Sequence, residues 1–134
     1  FEIKELKTGA VRMAAEAGVP LIPMVTWGTQ LLKTKDHESD LKGRGKTIGL
    51  HVGEPLEVTG EDPVAETEKL REAMSALLDK AIAEYPISPE GQWWAPARHG
   101  GTAPTPEQAK KMDEEEYAAR AARRAEKAAT KEKQ

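Results

Sequence analysis

Cysteine is absent from this chain of 134 residues. That removes disulfides, thiolate metal sites and a cysteine nucleophile together. Aromatic residues are scarce, with one Phe, two Tyr and three Trp. Hydrophobic residues make up 38% and charged residues 32%, and much of the apolar count is Ala in the last third. A core is therefore expected only in the first ~85–100 residues. There is no basic excess. The formal net charge of −3 argues against nucleic acid as a partner, since backbone binding needs a clear positive surplus. No apolar run approaches the ~20 residues that span a bilayer. The longest candidate, Val19 to Val25, is broken by Pro20 and Pro23. No signal-peptide pattern is present in these residues; the lack of cysteine fits a cytoplasmic location, which is the expectation. Any membrane contact by these residues is expected to be peripheral.

What is there reads as an α/β pattern. Leu6, Ala10, Met13, Ala14 and Ala17 recur at helical spacing within 3–17. Gly9 interrupts the pattern, so the regular helix is expected to begin near Thr8, which can act as its N-cap. Gly18 suits the C′ position and Pro20 prevents continuation. Pro20 to Trp27 is apolar and partly β-branched, which predicts a buried strand. A helix followed by such a strand is half of a βαβ unit. Lys33 to Lys46 is a polar loop. Thr47 to Val52 predicts a second strand, with Ile48, Leu50 and Val52 alternating against Thr47, Gly49 and His51, and with His51 on the outer face. Asp62 with Pro63 opens a long helix that ends before Pro86, and Glu66 falls in its acid-favoured first turn. The domain plan is 1–87 for an α/β domain, 88–104 for a Pro/Gly/Trp linker, and 105–134 for a charged, Ala-rich helical or disordered tail.

Several residues bear chemistry. A helix N-terminus exposes unpaired N–H groups and a partial positive charge, so it can hold a phosphate. Lys7 adds a full charge there, and Gly9 leaves room for a ligand or a backbone to come close. Lys42-Gly43-Arg44-Gly45-Lys46, with Lys33 and Lys35, forms a basic cluster. It either aids solubility or attracts anionic lipid headgroups, at about 1 kcal/mol per charge near a surface. It lacks the spacing of a Walker loop. His37-Glu38-Ser39-Asp40 has no second histidine at ligand spacing, so a solvated loop is expected and no metal site. Trp27 reads as a packing residue at a strand end, with Gln30 as a secondary substrate candidate. The pair Trp93-Trp94 either docks its loop on the main domain or sits at a membrane interface, and docking is the expected role. The tail has almost no large apolar residue, and its acids 113–116 precede Arg120, Arg123 and Arg124 as helix-dipole and i,i+4 pairing favour.

The string Leu6-Lys7-Thr8-Gly9-Ala10, followed by Gly18-Val19-Pro20-Leu21-Ile22-Pro23-Met24-Val25, resembles the third and fourth blocks of the glycerolipid acyltransferases. The closest branch is the lysophosphatidate acyltransferases of actinobacterial type. Thr26-Trp27-Gly28-Thr29-Gln30, then Gln92-Trp93-Trp94 and Gly100-Gly101-Thr102-Ala103-Pro104-Thr105, extend the likeness over nearly the whole chain. Leu6 stands where an aromatic residue is more frequent.

The resemblance implies an acyltransferase of phospholipid biosynthesis. Its substrates are lysophosphatidate and an acyl-CoA or acyl-carrier-protein thioester, and its product is phosphatidate. No cofactor or metal is implied beyond the thioester. Lys7, Thr8 and Gly9 are the implied acceptor-phosphate residues, and Pro20 and Pro23 the implied acyl-pocket or structural pair. The implied location is the inner face of the cell membrane. The family's catalytic HxxxxD pair is missing, however. Five residues after His37, His51 and His99 stand Lys42, Leu56 and Pro104. The FPEGTR-like second block is missing too. The expectation is thus the C-terminal portion of such a domain, with no catalytic residue of its own. The alternative is a non-catalytic module that binds a membrane or a protein.

Overall fold

A computed structural model describes residues 1–35 and 37–131. It is a mixed α/β arrangement of three helices and a two-stranded antiparallel sheet. The chain divides into two compact units, Phe1–Ala103 and Pro104–Gln134.

In the first unit, α1 spans Gly9–Ala17. It starts where the sequence puts it, but Thr8 does not cap it with its side chain, because its backbone is already helical (φ −69°, ψ −1°). Val11 and Ala14 are buried. Gly18 takes the left-handed conformation at φ 65° and closes the helix through bonds to Ala14 and Ala15, as a C′ glycine does.

Strand β1 spans Met24–Trp27, shorter than the predicted run from Pro20. Before it there is only one bridge, Leu21 with Leu56. Two prolines explain the gap, because neither can donate to a ladder. Strand β2 spans Gly49–Val52 and pairs antiparallel with β1, setting Met24 against Val52 and Val25 against His51.

Helix α2 spans Pro63–Ala83, and the Asp62 side chain accepts from the Ala65 N–H. Glu66 does more than favour the first turn. Its carboxylate accepts from the Thr59 N–H, the Thr59 hydroxyl and the Gly60 N–H. Those bonds, the backbone and side-chain bonds of Thr59 foremost, hold its carboxyl below the usual range. The loop before α2 is thereby locked against the helix.

The core lies between one sheet face and α2. It joins Val25 and Trp27 to Leu78, Ala81, Ile82 and Tyr85, and it is completed by Trp94 and Ala95. Each large side chain buried this way contributes roughly 1.5–3 kcal/mol.

The segment 88–104 is therefore not a linker. Residues 88–103 belong to the first unit, and Trp94 is only 1% exposed. Its ring meets Trp27 at 5.8 Å and Tyr85 at 5.9 Å, both edge-to-face. The loop is closed by its own backbone, with Gly91 N–H donating to Gly100 O, Thr102 N–H to Gln92 O and Ala103 N–H to Ala95 O. At Gly101 a Cβ would lie 2.0 Å from the Ala95 oxygen, so only glycine fits there.

The sheet's other face reverses the expected alternation. His51 is half-buried on the α2 side, near Glu84. Leu50 is 60% exposed, Val52 57% and Met24 54%. The inner face is already filled by Val25, Trp27 and α2, and pairing Val25 with His51 sends the apolar residues of β2 outward. The strand predicted to be buried thus has one uncovered face.

The second unit is α3, Pro106–Lys131. A capping box starts it: the Thr105 N–H donates to Gln108 Oε1, and the Gln108 N–H donates to the Thr105 hydroxyl. Met112 and Tyr117 are exposed, as expected for a helix without an apolar face. Residues 132–134 of the predicted tail lie outside the described residues.

A polar cluster ties the 88–103 loop to α2. Asp79 accepts from Arg98 at 2.6 Å and pairs with His99 Nε2 at 2.8 Å, while Arg98 reaches Glu2 at 2.7 Å. Burial works against ionisation of Asp79, but the bonds from His99 and Arg98 outweigh it and hold its carboxyl below the usual range. A depressed carboxyl stabilises the fold above the unfolded Asp value, near about 3.9. That contribution is lost as pH falls through the folded value. Asp79→Asn is expected to flatten the acid limb of a stability–pH curve. Urea midpoints measured across the acid range check this, and an unchanged acid limb would contradict it.

Candidate functional site

The phosphate candidate stands at the start of α1. Lys7 is exposed, as is Gly9, and a Cβ at Gly9 would meet nothing within 4 Å. Gly9 therefore makes no close approach to another backbone, and the helix start is open to an approaching group. Thr8 is half-buried and lines a cleft of about 440 Å³ with Glu5, Asp62 and Glu68. Its hydroxyl makes no capping bond. Three carboxylates beside Thr8 disfavour an anion there. An anion at this helix end is better placed on the exposed side, with Lys7 and Gly9. The three residues are adjacent in sequence, but Thr8 faces a different electrostatic environment from Lys7.

Of the two prolines, Pro23 is buried and Pro20 is exposed. Pro23 accepts from the Gly53 N–H at 2.9 Å. A Cβ on Gly53 would lie 2.9 Å from the Pro23 ring and 3.0 Å from Leu77. Pro23 thus sets how closely β1, the end of β2 and α2 pack. Pro20 has no such role; it follows the helix-closing turn.

The basic loop is less basic than its sequence. Lys46 donates to the Leu31 and Asp40 carbonyl oxygens at 3.0 and 2.9 Å, and it pairs with the Asp40 carboxylate at 2.5 Å. The Lys46 bond and the Gly43 N–H keep the Asp40 carboxyl low. Lys46 is a clasp for the loop rather than a charge presented to a surface. His37, Glu38, Ser39 and Asp40 are exposed, as expected for a solvated loop, and the exposed His37 ring stacks on Trp93 at 3.6 Å. Among the described residues, no group of three or more His, Asp or Glu side chains is arranged to hold a metal. No helix there is long and apolar enough to cross a membrane.

Two features escaped the sequence reading. Gln30 is only 8% exposed, and its Oε1 accepts from the Gly28 N–H at 2.8 Å. Gly28 has φ 105°, and a Cβ there would lie 2.2 Å from the Thr47 oxygen. Tyr85 donates to that same oxygen at 2.9 Å, and burial raises its phenol above the usual range. The turn after β1 is therefore built around Gly28 and Gln30. The Trp-Gly-x-Gln order was the available signal, since a buried Gln needs a fixed partner.

No protein-family model matches the chain, and no curated protein or solved structure matches it either.

Proposed function

We propose that the chain is the acceptor-binding, C-terminal part of a glycerolipid acyltransferase domain. In that reading it serves acyl transfer from acyl-CoA or acyl-carrier protein to lysophosphatidate at the inner face of the cell membrane. The observation that carries the reading is the order at α1 and β1. Lys7 lies just before the helix, Gly9 opens it, Gly18 closes it, and Pro23 leads into the strand, in the register of the family's third and fourth blocks. The exposed face of Met24, Leu50 and Val52 adds support. A two-stranded sheet is marginal alone, and an uncovered apolar face is what a missing layer of a larger α/β domain would leave.

The roles divide accordingly. Lys7, with the N–H groups at the start of α1, holds the acceptor phosphate by charge and hydrogen bonding. Pro23 fixes the packing of β1. The proton on the acceptor hydroxyl must be taken by a base, and the family's HxxxxD histidine is absent here. General-base catalysis does not run without its base.

The purified 134-residue chain is therefore expected to transfer no acyl group from oleoyl-CoA to lysophosphatidate. Joined to a segment carrying HxxxxD and the FPEGTR-like block, it is expected to form phosphatidate. Turnover by the chain alone, above a heat-killed control, would remove the first claim. A soluble, folded joined protein that makes no phosphatidate would remove the second, and would favour a non-catalytic module that uses the exposed sheet face for docking.

A further inference from the structure

The two strands turn one face to α2 and the other to solvent. The outward positions are Met24 and Thr26 on β1 and Leu50 and Val52 on β2, because Val25, Trp27 and His51 take the inner side. Ile22 and Ile48 continue the alternation just beyond the strands. Ile22, Met24, Ile48, Leu50 and Val52 are each at least half exposed, and Thr26 is the one polar side chain among them. Together they present on the order of 500 Å² of largely apolar surface, a size that marks an interaction site on a single chain.

The chemistry of the face narrows what can cover it. None of these side chains is charged, so a charged partner finds nothing to pair with. None is Trp or Tyr, the residues that favour a membrane interface. Glu54, exposed just past the end of β2, has the wrong sign for an anionic lipid surface. A second copy of the chain meets the requirements. It brings an uncharged apolar face of the same twist, and a two-fold axis sets that one patch against itself. Sheets of matched twist pack face to face with their strands about 30° apart. A pair buries about 1,000 Å², the lower bound of a specific interface.

We infer that two copies of this chain associate through the outward face of β1 and β2, with Met24, Leu50 and Val52 at its centre. The layers then run helix, sheet, sheet, helix, with α2 of each copy outside. A two-stranded sheet, marginal alone, is thereby covered on both sides. The inference goes beyond the acyl-transfer reading and concerns the chain without a catalytic segment. In a joined protein the added layer competes for the same face and displaces the second copy. A monomeric chain would overturn the dimer and leave the acyl-transfer reading standing. A joined protein that makes no phosphatidate would do the reverse.

The test is sedimentation equilibrium of the full chain over a range of concentrations. A monomer–dimer equilibrium is expected, at the weak end of specific association given the area. Leu50→Lys places two ammonium groups in the apolar centre of the pair and is expected to weaken dimerisation about a hundred-fold. Leu50 faces away from the core, so the far-UV circular dichroism of the variant is expected to match that of the parent. Tyr117→Lys alters an exposed residue of α3 and is expected to leave the dimer intact, which separates this face from association through that helix. The unaltered chain gives a second measurement. On dilution the methyl resonances of Leu50 and Val52 are expected to move, while those of the buried Val11 stay in place. The inference is overturned if the chain stays monomeric up to about 1 mM, if Leu50→Lys dimerises as the parent does, if Tyr117→Lys dissolves the dimer, or if the species grow without limit, as pairing through open strand edges would make them.

Discussion

Trp94→Ala is expected to destabilise the first unit by about 3–5 kcal/mol, the range for emptying a large aromatic site. That is a large share of the roughly 5–15 kcal/mol that holds an ordinary domain together. The ring is buried against Trp27, Tyr85 and the α2 face through Leu78 and Ile82. Collapse into the space is opposed from two sides. The 88–103 loop is closed by its own backbone bonds, and Gly101 already rests against the Ala95 backbone. Trp93 provides the control. It is half-buried, stacking on His37 and meeting Phe1 edge-on, so Trp93→Ala is expected to cost about 1 kcal/mol, the scale of an aromatic pair and partial burial. Urea midpoints followed by far-UV circular dichroism give both values without depending on the tryptophans themselves. Equal losses for the two variants would mean that Trp94 is not the anchor. The same argument predicts that a chain ended at Ile87 lacks part of its core and does not fold stably.

That anchor was only half legible in the sequence. Two adjacent tryptophans in an aromatic-poor chain signalled docking onto the main domain ahead of a membrane interface, and the burial of Trp94 agrees with docking, but the string did not say which ring is the anchor. The choice depends on the sheet face they meet, which is a long-range property. The Pro/Gly content around them suggested a linker because loops closed by their own backbone bonds use the same residues as flexible connectors. Local signals fared better. The helix closure at Gly18, the Asp62 cap with Pro63, and the end of α2 before Pro86 are set by backbone sterics within a few residues.

The facing of β2 was not legible. Ile48, Leu50 and Val52 alternate cleanly, yet period 2 says only that they share a face, not which face meets the helix. That was decided by β1, where Val25 and Trp27 occupy the α2 side and their register carries His51 inward with them. The Lys46 clasp and the buried Gln30 escaped for a related reason. Each acts through backbone groups, Leu31 and Asp40 in one case and Gly28 in the other. A sequence does not display which carbonyls and N–H groups are left unpaired. At the candidate site, Lys7 and Gly9 lie where their order predicts. The acids around Thr8 come from α2 and from Glu5, and they meet it only through the packing of α1 against α2.

Lys7 carries the second large expectation. If the proposed acyl-transfer reading holds, then in a protein that joins this chain to a segment carrying HxxxxD and the FPEGTR-like block, Lys7→Ala is expected to lower kcat/KM for the phosphate-bearing acceptor about ten- to a hundred-fold. A charge-assisted hydrogen bond of roughly 1.5–3 kcal/mol would be lost. The structure sharpens the expectation in two respects. Lys7 is exposed, so its removal leaves the fold intact, and a kinetic change cannot be assigned to unfolding. Thr8 stands beside Glu5, Asp62 and Glu68, so Thr8→Ala is expected to change acceptor kinetics far less. Lys7→Arg is expected to recover part of the activity, because the charge stays while the donor geometry changes. The KM for acyl-CoA is expected to stay near the parent value in all three variants if, as proposed, it is the acceptor's phosphate rather than those of coenzyme A that this helix end holds. Steady-state rates with each substrate varied in turn separate these outcomes. If Lys7→Ala leaves acceptor kinetics unchanged, Lys7 is an ordinary surface lysine, and the acceptor phosphate must be held elsewhere. If Thr8→Ala proves as damaging as Lys7→Ala, the anion enters from the acid-lined cleft, and the electrostatic argument against that side fails.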